Sequence, residues 1–141
     1  LTMLNINELG ITSDATLTKI CKDLKIKLNY IGFEHLIHNQ NYKNGGYILN
    51  IGDDTGTHWV CLNVLGRDVF YFDSFAVPPN NEVIQWCNQH NVKKLSWNNV
   101  EQFQQLDENL CGIWCILALY YLQKKQGSLN ERFTKFCNVI D

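Results

Sequence analysis

Apolar and polar positions alternate along the 141-residue chain with two different periods. In DATLTKICKDLKIKL (14–28), Leu17, Ile20, Cys21, Leu24 and Leu28 recur every three or four residues, predicting an amphipathic helix with Asp14 as its N-cap. Residues 30–44 are mixed: a turn of helix is expected around Glu34–His38, then a polar loop ending in Gly45-Gly46. YILNI (47–51) reads as a strand and GDDTGT (52–57) as a loop. HWVCLNVL (58–65) and VFYFDSF (69–75) are dense in aromatic and β-branched residues. Joined by Gly66-Arg67-Asp68, they predict a hairpin. After Pro78-Pro79, Asn80 or Asn81 caps a helix through EVIQWCNQH, and VKKLSW (92–97) suits a strand. ENLCGIWCILALYYL (108–122) turns apolar on almost every side beyond Asn109, so a helix from Cys111 to about Lys125 must be buried. Ser128-Leu129-Asn130-Glu131 is a capping box ahead of a last helix with Phe133, Phe136 and Cys137 inside. Helices at both ends and adjacent strands between them predict an α+β fold, and the length predicts one domain over residues 1–141.

Composition excludes more than it proposes. A formal charge of −2 exerts no general pull toward nucleic acid or anionic membrane. No apolar run reaches the roughly 20 residues of a membrane span, and the first residues lack a signal-peptide pattern. The expectation is a soluble, intracellular protein that is not secreted. Among six cysteines, Cys21, Cys61, Cys115 and Cys137 sit between apolar neighbours, as reduced buried thiols do. No CxxC occurs, and His35 and His38 lack a nearby Cys or carboxylate, so no metal or other cofactor is expected.

The remaining question is why Cys111-Gly112 opens the buried helix. A helix N-terminus supplies free N–H groups and a partial positive charge, which favour the thiolate that attacks. Gly112 removes a side chain beside the sulfur and lets a substrate backbone approach. The competing reading is a small core cysteine that happens to begin a helix. A nucleophile needs a base, and His58 alone of the four histidines lies where a polar loop enters an apolar strand, next to Trp59. Asp73 is the one acid within VFYFDSF, and strand pairing through the Gly66 turn would bring it to the same end of the sheet as His58. A surface histidine and a turn-capping aspartate are the bland alternatives for each taken singly. The Cys111 N–H is one candidate oxyanion donor, and Gln104 or Gln105 in FQQLDENLC offers a second.

In this order, the segments GGYILNIGDDTGTHWVCL, VFYFDSFA and FQQLDENLCGIWCILALYYL resemble the adenoviral maturation protease and, more broadly, the cysteine peptidases that include SUMO-deconjugating enzymes and the proteases of large DNA viruses, virophages and Polinton-type elements. The resemblance spans about residues 45–122. It implies a mixed central sheet flanked by helices, with Cys111 as nucleophile at the N-terminus of a buried helix, His58 as base and then acid, and Asp73 as orienter. Gln104 or Gln105 would complete the oxyanion hole and Trp59 would shape the site. Leu110 directly before the cysteine favours the viral spacing and Gln104, whereas Glu108 keeps Gln105 open. The implied activity is endopeptidase cleavage of a viral structural (capsid) precursor at Gly-containing sites during maturation, by a monomer acting in the virion or in host cytoplasm or nucleus. Deconjugation of SUMO or another ubiquitin-like modifier, and an inactive binding module of the same fold, are the rivals. Adenoviral enzymes are assisted by DNA, but a mildly acidic chain with no basic run points to no such dependence here.

Overall fold

Five strands form one mixed sheet in the order β1-β2-β3-β4-β5, in a computed structural model that describes residues 13–52, 57–98, 103 and 110–140. The hairpin is its centre. β3 (Trp59–Leu65) and β4 (Asp68–Phe72) pair antiparallel from Leu65↔Asp68 to Cys61↔Phe72. The reversal is closed by Gly66 at φ 62°, a left-handed conformation that glycine adopts without strain. β2 (Gly45–Asn50) runs antiparallel to β3, while β1 (Leu28–Phe33) and β5 (Lys94–Trp97) add parallel strands at the two edges.

Alternation along the strands gives each face its own core. Ile48, Cys61, Phe70 and Phe72 face α1 (Asp14–Asp23), α3 (Cys111–Lys124) and α4 (Leu129–Ile140). Tyr47, Leu49, Val60, Leu62 and Tyr71 face the opposite layer, where Ile37 of the 3-10 turn Glu34–Asn39 meets Val83 and Trp86 of α2 (Asn81–Gln89). α3 buries Cys115, Ile116, Ala118, Leu119 and Leu122 against β3 and α4, as a helix without a polar stripe must. Gln123 ties its far end down, exchanging hydrogen bonds with both main-chain groups of Lys27 and donating to Asn63 Oδ1.

Three expectations change. The first helix stops at Asp23 and its N-cap is Ser13, whose Oγ accepts from Thr16 N–H at 3.2 Å. Leu28, which extended the helical spacing, instead begins β1. The strand expected through Phe75 ends at Phe72, leaving Asp73 in the turn beyond it. Asn80 is the cap of α2, and the Ser128–Glu131 capping box forms with both reciprocal bonds, at 3.0 and 3.2 Å. Among the described residues, no helix is long and apolar enough to cross a membrane and no group of three His, Cys, Asp or Glu side chains could hold a metal. His38 pairs with Glu82 at 2.7 Å.

Candidate active site

The site lies where the central hairpin opens and α3 begins. His58 immediately precedes β3, and its carbonyl accepts from Ile51 N–H at 2.9 Å, which fixes the backbone at the strand entrance. Asp73 immediately follows β4. The β3–β4 ladder ends at Cys61↔Phe72, and beyond it the chain after β4 turns at Asp73 so that its carboxylate reaches the residue before β3: His58 Nε2 meets Asp73 Oδ1 at 2.9 Å. The Asp73 side chain is 2 % exposed and that of His58 20 %. The same Oδ1 accepts from Phe75 N–H at 2.8 Å, and the Phe75 ring stacks on the imidazole with centroids 4.8 Å apart. The ring therefore has one nitrogen held by a carboxylate and one face covered by an aromatic.

Cys111, first residue of α3, is 8 % exposed. Its Sγ accepts from the main-chain N–H of Trp59 at 3.4 Å and is hydrogen-bonded to the His58 side chain. With Nε2 on Asp73, the nitrogen left for the sulfur is Nδ1. The Gly112 N–H also bonds the sulfur, so the open first turn of the helix acts on it directly. Leu110 at the N-cap position supplies no side-chain hydrogen bond that would compete for that turn.

These contacts set the charges. Burial disfavours the Cys111 thiolate, but His58 and the N–H groups of Trp59 and Gly112 outweigh it and hold the thiol below its usual 9.0. Burial likewise opposes an imidazolium at His58, yet hydrogen bonds to Asp73 and Cys111, with their negative charges, push its pKa up to about 9. Hydrogen bonds to an ionised group contribute roughly 1.5–3 kcal/mol each, so several converging on one sulfur can offset a desolvation cost of several kcal/mol. With the thiol held below 9.0 and the imidazole raised to about 9, the contacts favour a thiolate–imidazolium pair over the neutral pair, backed by the Asp73 side chain. Such a pair can attack an electrophilic carbonyl and then protonate the departing group.

Of the residues singled out from sequence, His58, Asp73 and Cys111 come together, with Trp59 supplying a main-chain donor and Gly112 buried beside the sulfur. Gln104 and Gln105 fall outside the described residues. Two contributors were not anticipated. Phe75 covers the imidazole, and Asn98, 3 % exposed, bonds both main-chain groups of Asp73. The aromatic two residues after Asp73 was a usable signal for the first; an asparagine just past a short strand gave none for the second.

No protein-family model matches the sequence, and no curated protein matches it either. Solved structures do resemble the fold. Two crystal structures of the pS273R protease of African swine fever virus (ASFV) superpose with TM-scores of 0.59 and 0.58 at 16 % identity, covering 93 % of this chain. A structure of AvrA covers 78 % of this chain and 46 % of its own at 16 % identity, but its TM-score of 0.49 is too low to weigh. The chain spans 64 % of the ASFV protease chain. What it shares with that protease is the fold, a mixed five-stranded sheet flanked by helices.

Proposed function

We propose that the chain is a cysteine endopeptidase that hydrolyses peptide bonds through a thioester. Cys111 is the nucleophile, His58 the general acid and base, and Asp73 the group that orients the imidazole. The observation that carries this reading is the His58–Asp73 bond of 2.9 Å placed beside a sulfur held below its ordinary pKa at the mouth of α3. The thiolate adds to the scissile carbonyl. The His58 imidazolium gives its proton to the amine as the C–N bond breaks, leaving the acyl group on sulfur. The neutral imidazole then takes a proton from water, whose oxygen attacks the thioester and releases the acid and the thiolate. The Cys111 N–H and a side-chain amide from Gln104 or Gln105 serve as oxyanion donors in this scheme.

Limited access to the sulfur supports the substrate class that the resemblance implies. A cysteine only 8 % exposed is reached most readily by an extended chain with little bulk at the cleaved bond. Gly-containing sites in a viral structural precursor meet that requirement, and the likeness to a viral protease fold supports the same choice. The enzyme acts as a monomer in the virion or the host cytoplasm or nucleus, and needs no nucleic acid. Incubating the protein and its Cys111→Ala variant with a candidate capsid precursor, and separately with SUMO or ubiquitin conjugates, tests the reading. Cysteine-dependent cleavage of the precursor is expected. Cleavage of conjugates alone would make it a deconjugase, and cleavage of neither would leave an inactive binding module of this fold. A many-fold rise on adding duplex DNA at low salt would overturn the independence from nucleic acid.

A further inference from the structure

The β4–β5 ladder stops at Tyr71↔Trp97, two residues short of the aspartate that holds His58. Beyond that point the pairing is continued by a side chain. Asn98 Oδ1 accepts from Asp73 N–H at 3.1 Å, and Asn98 Nδ2 donates to the Asp73 carbonyl at 2.6 Å. A primary amide carries the same donor and acceptor as a peptide unit, so Asn98 substitutes for the next peptide of β5 at the position where the chain after β4 turns away. The Asp73 carbonyl also accepts from Ala76 N–H at 2.8 Å, closing a tight turn in which Ala76 takes φ 61°. Both main-chain groups of Asp73 are thereby pinned, and Asn98 is 3 % exposed, out of reach of competing water.

We infer that Asn98 is a positioning residue of the site: its amide fixes the Asp73 backbone so that the carboxylate meets His58. The inference rests on the proposed roles of His58, Asp73 and Cys111. Its physical basis is leverage. The carboxylate is one carbon from the main chain, so a backbone shift of about 1 Å carries Oδ1 with it, a displacement that sites of this kind do not tolerate. Phe75 N–H bonds the same Oδ1 and the Phe75 ring stacks on the imidazole, so the turn that Asn98 anchors carries both the carboxylate and the aromatic that contact His58. A hydrogen bond of similar burial elsewhere in the sheet would affect stability alone. This one also sets the charge of His58 and, through it, that of Cys111.

The test needs no substrate, so it can fail while the proposed function stands, or succeed in a protein that cleaves nothing. Asn98→Leu removes both bonds while keeping the number and branching of side-chain heavy atoms, and Asn98→Ser is the smaller, polar change if the leucine variant does not fold. His58 protonation is followed by NMR and Cys111 alkylation by iodoacetamide across pH. The expected result is a His58 titration lowered by about one pH unit, a tenfold weakening of the protonated form, with Cys111 labelling displaced upward and the leucine variant more affected than serine. In an Asp73→Ala background the Asn98 substitutions should add nothing, because Asn98 acts through Asp73. Parental titrations in a folded Asn98 variant, or equal shifts with and without the Asp73 carboxylate, would overturn the inference.

Discussion

Cys111 and Cys115 stand one turn apart on α3, both are buried, and their thiols are driven in opposite directions. Burial alone opposes ionisation at each. At Cys115, which is 0 % exposed, burial is joined by a hydrogen bond to Cys61 and by neighbouring negative groups, and the pKa rises well above 9.0. Its Sγ has a carbonyl to donate to, that of Trp59 at 3.4 Å, which suits a neutral thiol. At Cys111 the same residue, Trp59, presents its N–H instead, and His58 and Gly112 add further donors. The two ends of one strand residue thus stabilise opposite forms of two sulfurs. Helical depth decides the rest: the first turn has unpaired N–H groups to aim at a thiolate, the second has none.

The largest consequence concerns hydrolysis. Cys111→Ala should reduce cleavage of a susceptible peptide at least about a thousandfold, whereas Cys115→Ala should cost less than about tenfold through a loosened Trp59; comparable losses in the two variants would erase the distinction. Next is the pH profile of kcat/KM. On the acid side the rate should fall as Cys111 takes up a proton, below the ordinary thiol value of 9.0. On the alkaline side it should fall near 9 as His58 loses the proton that the proposed mechanism passes to the leaving amine. The two limbs belong to the coupled pair rather than to either residue singly. A profile that only rises toward high pH would describe a plain thiol. Smallest is the effect on folding: Cys115→Ala removes a fully buried sulfur and its bond to Trp59, and should lower stability by roughly 1–2 kcal/mol by denaturant midpoint.

The contrast between these cysteines was only partly legible in sequence. Cys-Gly at the start of an apolar run marked the first turn of α3, and a histidine and an acid at the borders of two aromatic strands marked its partners. All three signals are local. β1 was not legible, because Leu28 prolongs the helical spacing of α1 and an edge strand paired in parallel to β2 shows no alternation: five of its six residues are half-buried. The Asp14 cap failed because a serine and an aspartate adjoin and either could accept from the first turn. Asn98 was invisible for a different reason. Its partner lies 25 positions earlier and its role exists only once β4 and β5 lie side by side.

The thiolate–imidazolium pair is measured most directly by the pH dependence of Cys111 alkylation, with the modified residue identified by mass spectrometry, in the parent protein and in His58→Ala. The pair requires Cys111 to react near neutral pH in preference to Cys115, with an onset below 9.0 that moves upward when the imidazole is removed. Labelling of Cys111 that is unchanged in His58→Ala would contradict it.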